Sequence, residues 1–154
     1  MVTAIENRIP PPIVMVVTGL AMWALAWVTP TLPVSDGIRY GLAGVLLVFG
    51  IGVDGLAFLS FRRAGTTVNP VAIDRASALV TAGIYSLTRN PMYVGLTVLL
   101  FALAVLLSNV WLLLGPLFFV LYITRFQIIP EERVMQAKFG SAFDAYKARV
   151  RRWL

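Results

Sequence analysis

The sequence contains no cysteine and no histidine, and only 13% of its 154 residues are charged. Without cysteine there is no disulfide framework and no thiolate metal site, and cysteine usage does not indicate a redox compartment. Without histidine as well, we expect no zinc or haem site. Soluble domains average about 25% charged residues, so the low charge indicates a membrane protein. Any chemistry must therefore use acidic, basic, hydroxyl or amide side chains, or a bound cofactor.

Hydrophobic residues make up 59% of the chain and are arranged in four apolar segments. A spanning helix needs about 20 apolar residues, within a range of roughly 17–25. We predict an all-α integral membrane protein of one domain, with transmembrane helices at 13–29, 37–61, 91–107 and 110–129. Only Ser108 and Asn109 separate the last two segments, which predicts a tight antiparallel hairpin.

Basic residues predict the orientation of these helices. Four arginines lie in the loop 62–90 and six basic residues in the tail after residue 129, whereas the link between the first two segments holds only Arg39. Because basic loops face the cytoplasm, we place both termini and the basic-rich loop on the cytoplasmic side of the membrane. A cleaved signal peptide is not favoured, since only Arg8 precedes the first segment and no cleavage site follows it.

Polar residues are concentrated in GIYSLTRNPMYVG, residues 83–95, where the third segment begins. Asn90 and Pro91 predict an N-cap and a first helical residue. Free backbone N–H groups and the helix dipole favour an anionic group at such a helix start, and Arg89 adds a guanidinium for a carboxylate or phosphate. The same residues are also ordinary for a helix end at a membrane interface.

A second polar cluster follows the fourth segment. Pro130, Glu131 and Glu132 predict the first turn of a cytoplasmic amphipathic C-terminal helix over residues 130–150, lying on the anionic inner leaflet. The hairpin places the start of segment three beside the end of segment four. The side chains that it should bring together are Arg89, Asn90, Tyr93, Arg125, Gln127, Glu131 and Glu132. A zwitterion such as the amino-acid end of S-adenosylmethionine would bridge these acidic and basic groups.

These motifs resemble the isoprenylcysteine carboxyl methyltransferase and phospholipid methyltransferase superfamily of membrane enzymes. The family's Arg-His-Pro-x-Tyr-x-Gly element is similar to residues 89–95, RNPMYVG. A hairpin, the pair Glu131-Glu132 and an aromatic tail beginning at Phe139 follow in the family's order. Upstream, residues 65–70 and 79–91 look like bacterial members, so the resemblance implies a bacterial inner membrane with the active site on its cytoplasmic side. The resemblance covers roughly the C-terminal ninety residues.

The resemblance implies S-adenosylmethionine as the cofactor, bound on the cytoplasmic side. The residues that it assigns to cofactor binding are Gly83, Tyr85, Arg89, Asn90, Tyr93, Gly95, Glu131 and Glu132. Asn90 stands where the eukaryotic enzymes have histidine. Asparagine can donate and accept a hydrogen bond but cannot titrate, so no proton-shuttle role is implied at this position.

The implied reaction transfers a methyl group to a carboxylate or amine of a lipid-like or prenylated acceptor that enters between the helices. Arg89 or Arg125 would orient a carboxylate acceptor, and Glu132 is the nearest candidate base for an amine. These three residues are the candidate catalytic groups. We expect no nucleic-acid partner, and the sequence does not indicate the oligomeric state.

Two other functions remain open. The first is an NADPH-dependent membrane reductase related to sterol reductases, with Arg149, Arg151 and Arg152 near a 2′-phosphate. The acidic pair argues against it, because two carboxylates repel a polyphosphate. The second is a non-catalytic membrane accessory protein, in which the polar residues merely cap helices. Asp54, among the glycines of segment two, is either a helix-packing residue or a functional one.

Overall fold

The computed structural model describes residue 6, residues 8–65 and residues 78–154. Over these residues the chain is helical and has no strand, which confirms the predicted all-α class. The α-helices are α1 (Pro11–Ala26), α2 (Asp36–Arg63), α3 (Pro91–Leu106), α4 (Leu114–Ile123), α5 (Ile129–Phe139) and α6 (Ser141–Arg149). Short 3₁₀ turns lie at Gly83–Ser86 and Val110–Leu113, and a π-helical turn at Thr124–Ile128. Most of the motif at 65–70 lies outside the described residues.

Two helices are long and apolar enough to cross a membrane, judged by length and composition. They are α2 and the continuous helix Val110–Phe139, which contains α4, the π turn and α5. Only 22% of the most apolar stretch of α2 is buried, so this helix is not the core helix of a soluble protein. The apolar helices α1 and α3 have 16 residues each and are shorter. Four spanning helices therefore stay a prediction, while membrane association is supported.

Helices α2 and α3 approach closely through glycine. A Cβ at Gly50 of α2 would lie 2.9 Å from Leu99 Cδ2 and 3.1 Å from the carbonyl oxygen of Gly95 on α3. A Cβ at Gly95 would in turn overlap the carboxylate of Asp54. Small residues at such crossings let two backbones pack together.

The chain reverses between α3 and the Val110–Phe139 helix at Ser108 and Asn109. Ser108 adopts a positive φ of 47°. The Asn109 carboxamide oxygen accepts a hydrogen bond of 3.0 Å from the Trp111 backbone N–H, and its Nδ2 donates to Thr29 Oγ1 at 2.7 Å. The turn is thereby attached to the end of α1. Behind it, Leu100 of α3 and Phe119 of α4 are fully buried in one core.

The C-terminal helix predicted over 130–150 is divided into two helices, α5 and α6. The chain does not begin a new helix at Pro130, because the π turn accommodates this proline: the Ile129 N–H donates to the Thr124 carbonyl, five residues back. A break occurs instead at Gly140, whose φ is 50°. The apolar side of α6 packs inside the protein, since Phe143 and Tyr146 are buried there.

Replacing Gly50 with alanine should destabilise the protein by about 1–3 kcal/mol, because the new methyl group pushes against the α3 backbone. Gly52 on the same helix has open space at its Cβ position. Gly52→Ala should therefore leave stability unchanged or slightly raised. Thermal unfolding in detergent measures both variants, and equal melting temperatures would contradict the close approach of α2 and α3.

Candidate active site

A cavity of about 490 Å³ lies where α2, α3, α5 and α6 converge with the beginning of α1. Its wall is mainly apolar, with a few polar groups, which is the usual composition of a small-molecule site of this size. The polar side chains around it come from α2, from α3 and the turn before it, from α5 and from α6. They are Asp54, Tyr85, Arg89, Asn90, Tyr93, Glu131, Glu132 and Tyr146.

Glu132 of α5 is held between two guanidinium groups. Arg89 Nη2 lies 2.9 Å from Glu132 Oε1. Arg152 donates to both oxygens, from Nε at 3.1 Å and from Nη2 at 2.7 Å. These hydrogen bonds raise the pKa of Arg152 above its usual value. The cluster Arg89–Glu132–Arg152 has a net charge of one positive unit, and Arg89 is its member in the cavity wall that can bind an anionic ligand group. Arg89 Nε has no hydrogen-bond partner among the described residues.

Glu131, the next residue along α5, is stabilised only by neutral donors. The Tyr93 hydroxyl donates to Glu131 Oε1 at 2.6 Å, and Gln127 Nε2 donates to the same oxygen at 3.2 Å. Tyr93 and Gln127 are themselves buried, which fixes the direction of the carboxylate. Within the described ranges, no lysine or arginine forms an ion pair with Glu131. A carboxylate in this situation favours a cationic ligand group.

Asp54 supplies a third carboxylate, from α2. It lines the same cavity, and its Oδ1 is buried without a hydrogen-bond partner in the part of the chain that the structure describes. Tyr85 lies nearby: burial raises the pKa of its phenol above the usual range, and Tyr146, Glu131 and Asp54 add to this effect. Tyr85 is therefore a neutral phenol in the cavity wall.

The C-terminal residues return to the start of α3 and complete the site. The Arg152 carbonyl accepts hydrogen bonds from Asn90 Nδ2 at 2.8 Å and from Thr88 Oγ1 at 3.2 Å. The Arg89 backbone N–H donates to the Arg151 carbonyl at 2.9 Å. Asn90 is the N-cap of α3 by position, but its side chain does not cap the helix as predicted. The Asn90 side chain binds the backbone of the C-terminal residues instead.

The structure brings together most of the predicted site residues and separates three from the cavity. Arg125, expected to orient an acceptor, pairs with Glu6 at 2.8 Å and is 46% exposed. Its position on the π turn explains the difference, because one extra residue per turn rotates it by about 100° relative to an unbroken α-helix. We therefore remove Arg125 from the candidate site.

Gly83 and Gly95 do not line the cavity either. Gly83 has a positive φ of 63° and begins the 3₁₀ turn that carries Tyr85. Gly95 makes room for the Asp54 carboxylate. Both glycines shape the backbone around the site, whereas the sequence motif suggested that they contact the cofactor.

Arg152 and Thr88 were missed as site residues by sequence reasoning. Arg152 looked like one member of a basic face together with Arg149 and Arg151, and nothing in the spacing distinguishes it. Only the path of the last residues back to α3 separates Arg152 from its neighbours, since Arg149 and Arg151 are exposed.

The fold and the cavity indicate a helical membrane protein whose candidate enzyme site suits a ligand with one positive and one negative charge. Residues 38–142 match the phospholipid methyltransferase family, and the chain belongs to that family. The matched range includes most of α2, all of α3 and the Glu131–Glu132 pair. The chain is also similar to an uncharacterised protein of Haemophilus influenzae, with 43% identity over 63 residues, which are 41% of this chain and all of that protein. No solved structure matches the chain.

Tyr146→Phe should destabilise the folded site. The Tyr146 hydroxyl donates a buried hydrogen bond of 2.7 Å to the Tyr85 carbonyl, and its loss leaves that acceptor unsatisfied at a cost of about 1–3 kcal/mol. Tyr122 provides the matched control, since its hydroxyl makes no hydrogen bond with the described residues. Tyr122→Phe should unfold like the wild type in a thermal melt, and equal losses in both variants would contradict a specific role for Tyr146.

Proposed function

We propose that the protein is an S-adenosylmethionine-dependent methyltransferase that transfers a methyl group to a lipid-like acceptor. One observation carries this proposal. The cavity wall contains Arg89, which Glu132 holds in place together with Arg152, and beside Glu132 it contains Glu131, a carboxylate without a cationic partner among the described residues.

The amino-acid end of S-adenosylmethionine carries a carboxylate and an ammonium on the same carbon atom. Its two charges therefore require a cationic and an anionic protein group that are neighbours. Arg89 fits the carboxylate and Glu131 fits the ammonium, while Tyr93 and Gln127 keep Glu131 in place. Arg152 holds Glu132 from outside the cavity lining. The residues present thus fit the cofactor that the family resemblance implies.

When bound, S-adenosylmethionine supplies a methyl group on a positively charged sulfur. The chain's own residues then position the reactants and exclude water from between them. Phe58, Phe61, Leu96 and Phe143 give the cavity its apolar wall. Positioning of two reactants in a dry site is worth about 7–11 kcal/mol of the barrier.

The predicted role of Glu132 as a base is the weakest of the catalytic assignments. Both of its oxygens are engaged by guanidinium groups, so a proton acceptor at this position would first have to lose an ion pair. We assign Glu132 the task of positioning Arg89 and Arg152. The acceptor, a carboxylate or an amine, would enter from the bilayer beside α2, with the basic end of the molecule on the cytoplasmic side.

A nicotinamide reductase fits the same cavity less well. Glu131 and Asp54 would repel a polyphosphate, and no described residue offsets either charge with an ion pair. Arg149 and Arg151, considered for a 2′-phosphate, are exposed and do not line the cavity.

Calorimetric titration of the detergent-solubilised protein with S-adenosylhomocysteine and with NADPH tests the proposal. We expect binding of S-adenosylhomocysteine only. Glu131→Gln should weaken it about tenfold or more, because the ammonium loses its counter-charge. Asp36→Asn, at the exposed far end of α2, is the matched control and should bind like the wild type. Binding of NADPH would favour a reductase, and absence of binding for both ligands would favour a non-catalytic protein. Either result would reject the proposal.

A further inference from the structure

We propose that Asp54 recognises the positively charged sulfur of the cofactor, so that the cavity distinguishes charged S-adenosylmethionine from its neutral product. The inference rests on the proposed function. It concerns a residue of α2 that belongs to none of the sequence motifs of the site.

Asp54 faces the cavity together with Phe58 and Phe61. Phe58 and Phe61 lie four and seven positions after Asp54, so all three residues share one face of α2. Across the gap, Gly95 of α3 leaves the space that the carboxylate occupies. The opposing helix thus leaves room for an acidic side chain.

A role in helix packing does not account for this carboxylate. Asp54 forms no ion pair with the described residues, and its Oδ1 is buried without a donor. Leaving such an oxygen unsatisfied costs stability, whereas alanine at the same position would allow the same approach of α2 to α3 without that cost. Oδ1 is enclosed against Gly95, but Asp54 also lines the cavity, and an unpaired acid in an apolar cavity wall indicates a ligand cation.

The chemistry of the cofactor decides which cation Asp54 meets. S-adenosylmethionine has two cationic groups, the ammonium and the sulfonium. The ammonium shares a carbon atom with the carboxylate, so it must bind beside Arg89, where Glu131 also lines the cavity. The sulfonium is further along the molecule and is left for the remaining acid, Asp54, on a different helix. Phe58, Phe61 and Leu96 lower the local dielectric and so strengthen the attraction.

This assignment gives Asp54 a role in turnover as well as in binding. After methyl transfer the sulfur is a neutral thioether, and its attraction to Asp54 is lost. The cavity then holds the product less tightly than the cofactor, which favours exchange of one for the other.

The test compares the dissociation constants of three ligands for the full chain in detergent. S-adenosylmethionine and sinefungin carry a positive charge at or beside the sulfur position, whereas S-adenosylhomocysteine is neutral there. The wild type should bind the two charged ligands about tenfold more tightly than the neutral one. Asp54→Asn should reduce this ratio to about threefold or less, with little change in the affinity for S-adenosylhomocysteine.

Glu131→Gln is the matched control, because all three ligands share the ammonium, and it should weaken all of them equally. An equal loss for all three ligands in Asp54→Asn would overturn the assignment. A wild type without preference for the charged ligands would overturn it too, and that comparison needs no variant. If Asp54→Asn does not fold, Asp54→Ser removes the charge with a smaller side chain. A wild type that binds none of the ligands would reject the proposed function instead.

Discussion

The ion pairs of Glu132 hold the candidate site together, because they join three parts of the chain that are distant in sequence. Glu132 lies on α5, Arg89 directly before α3, and Arg152 near the C-terminus. The Glu132 side chain is only 19% exposed, so removal of one partner leaves a partly buried charge poorly compensated. This cost gives the start of α3 and the last residues of the chain a defined arrangement around the cavity.

The close packing of α2 against α3 is the second constraint on the site. Gly50 and Gly95 bring the two helix backbones together, and the same approach buries one oxygen of Asp54. The cavity wall therefore contains an acid that α2 alone would expose to its surroundings. Helix packing and charge placement are linked here, since the glycine that admits the carboxylate also sets the distance between the helices.

Several features of the site follow from local sequence. Asn90 and Pro91 begin α3 at the predicted residues, and the reversal at Ser108 and Asn109 brings Arg89 next to Glu132 as expected. Other features were missed or misplaced. Arg125 was expected in the site because the hairpin places the end of segment four beside the start of segment three, whereas Arg125 lies on the π turn and pairs with Glu6. Periodicity arguments cannot detect one extra residue in a turn.

The sequence by itself determined the helical class, the apolar segments, the hairpin and the meeting of basic and acidic motifs, since each depends on residues close together in the chain or on one short turn. The tertiary structure alone decided that Arg152, and neither Arg149 nor Arg151, reaches Glu132. It also decided that Asp54 shares a cavity with Glu131, and that α6 covers the site. These contacts depend on the path of the chain after Gly140 and on the spacing of α2 and α3. Both result from packing between distant segments, for which a single sequence contains no periodic signal.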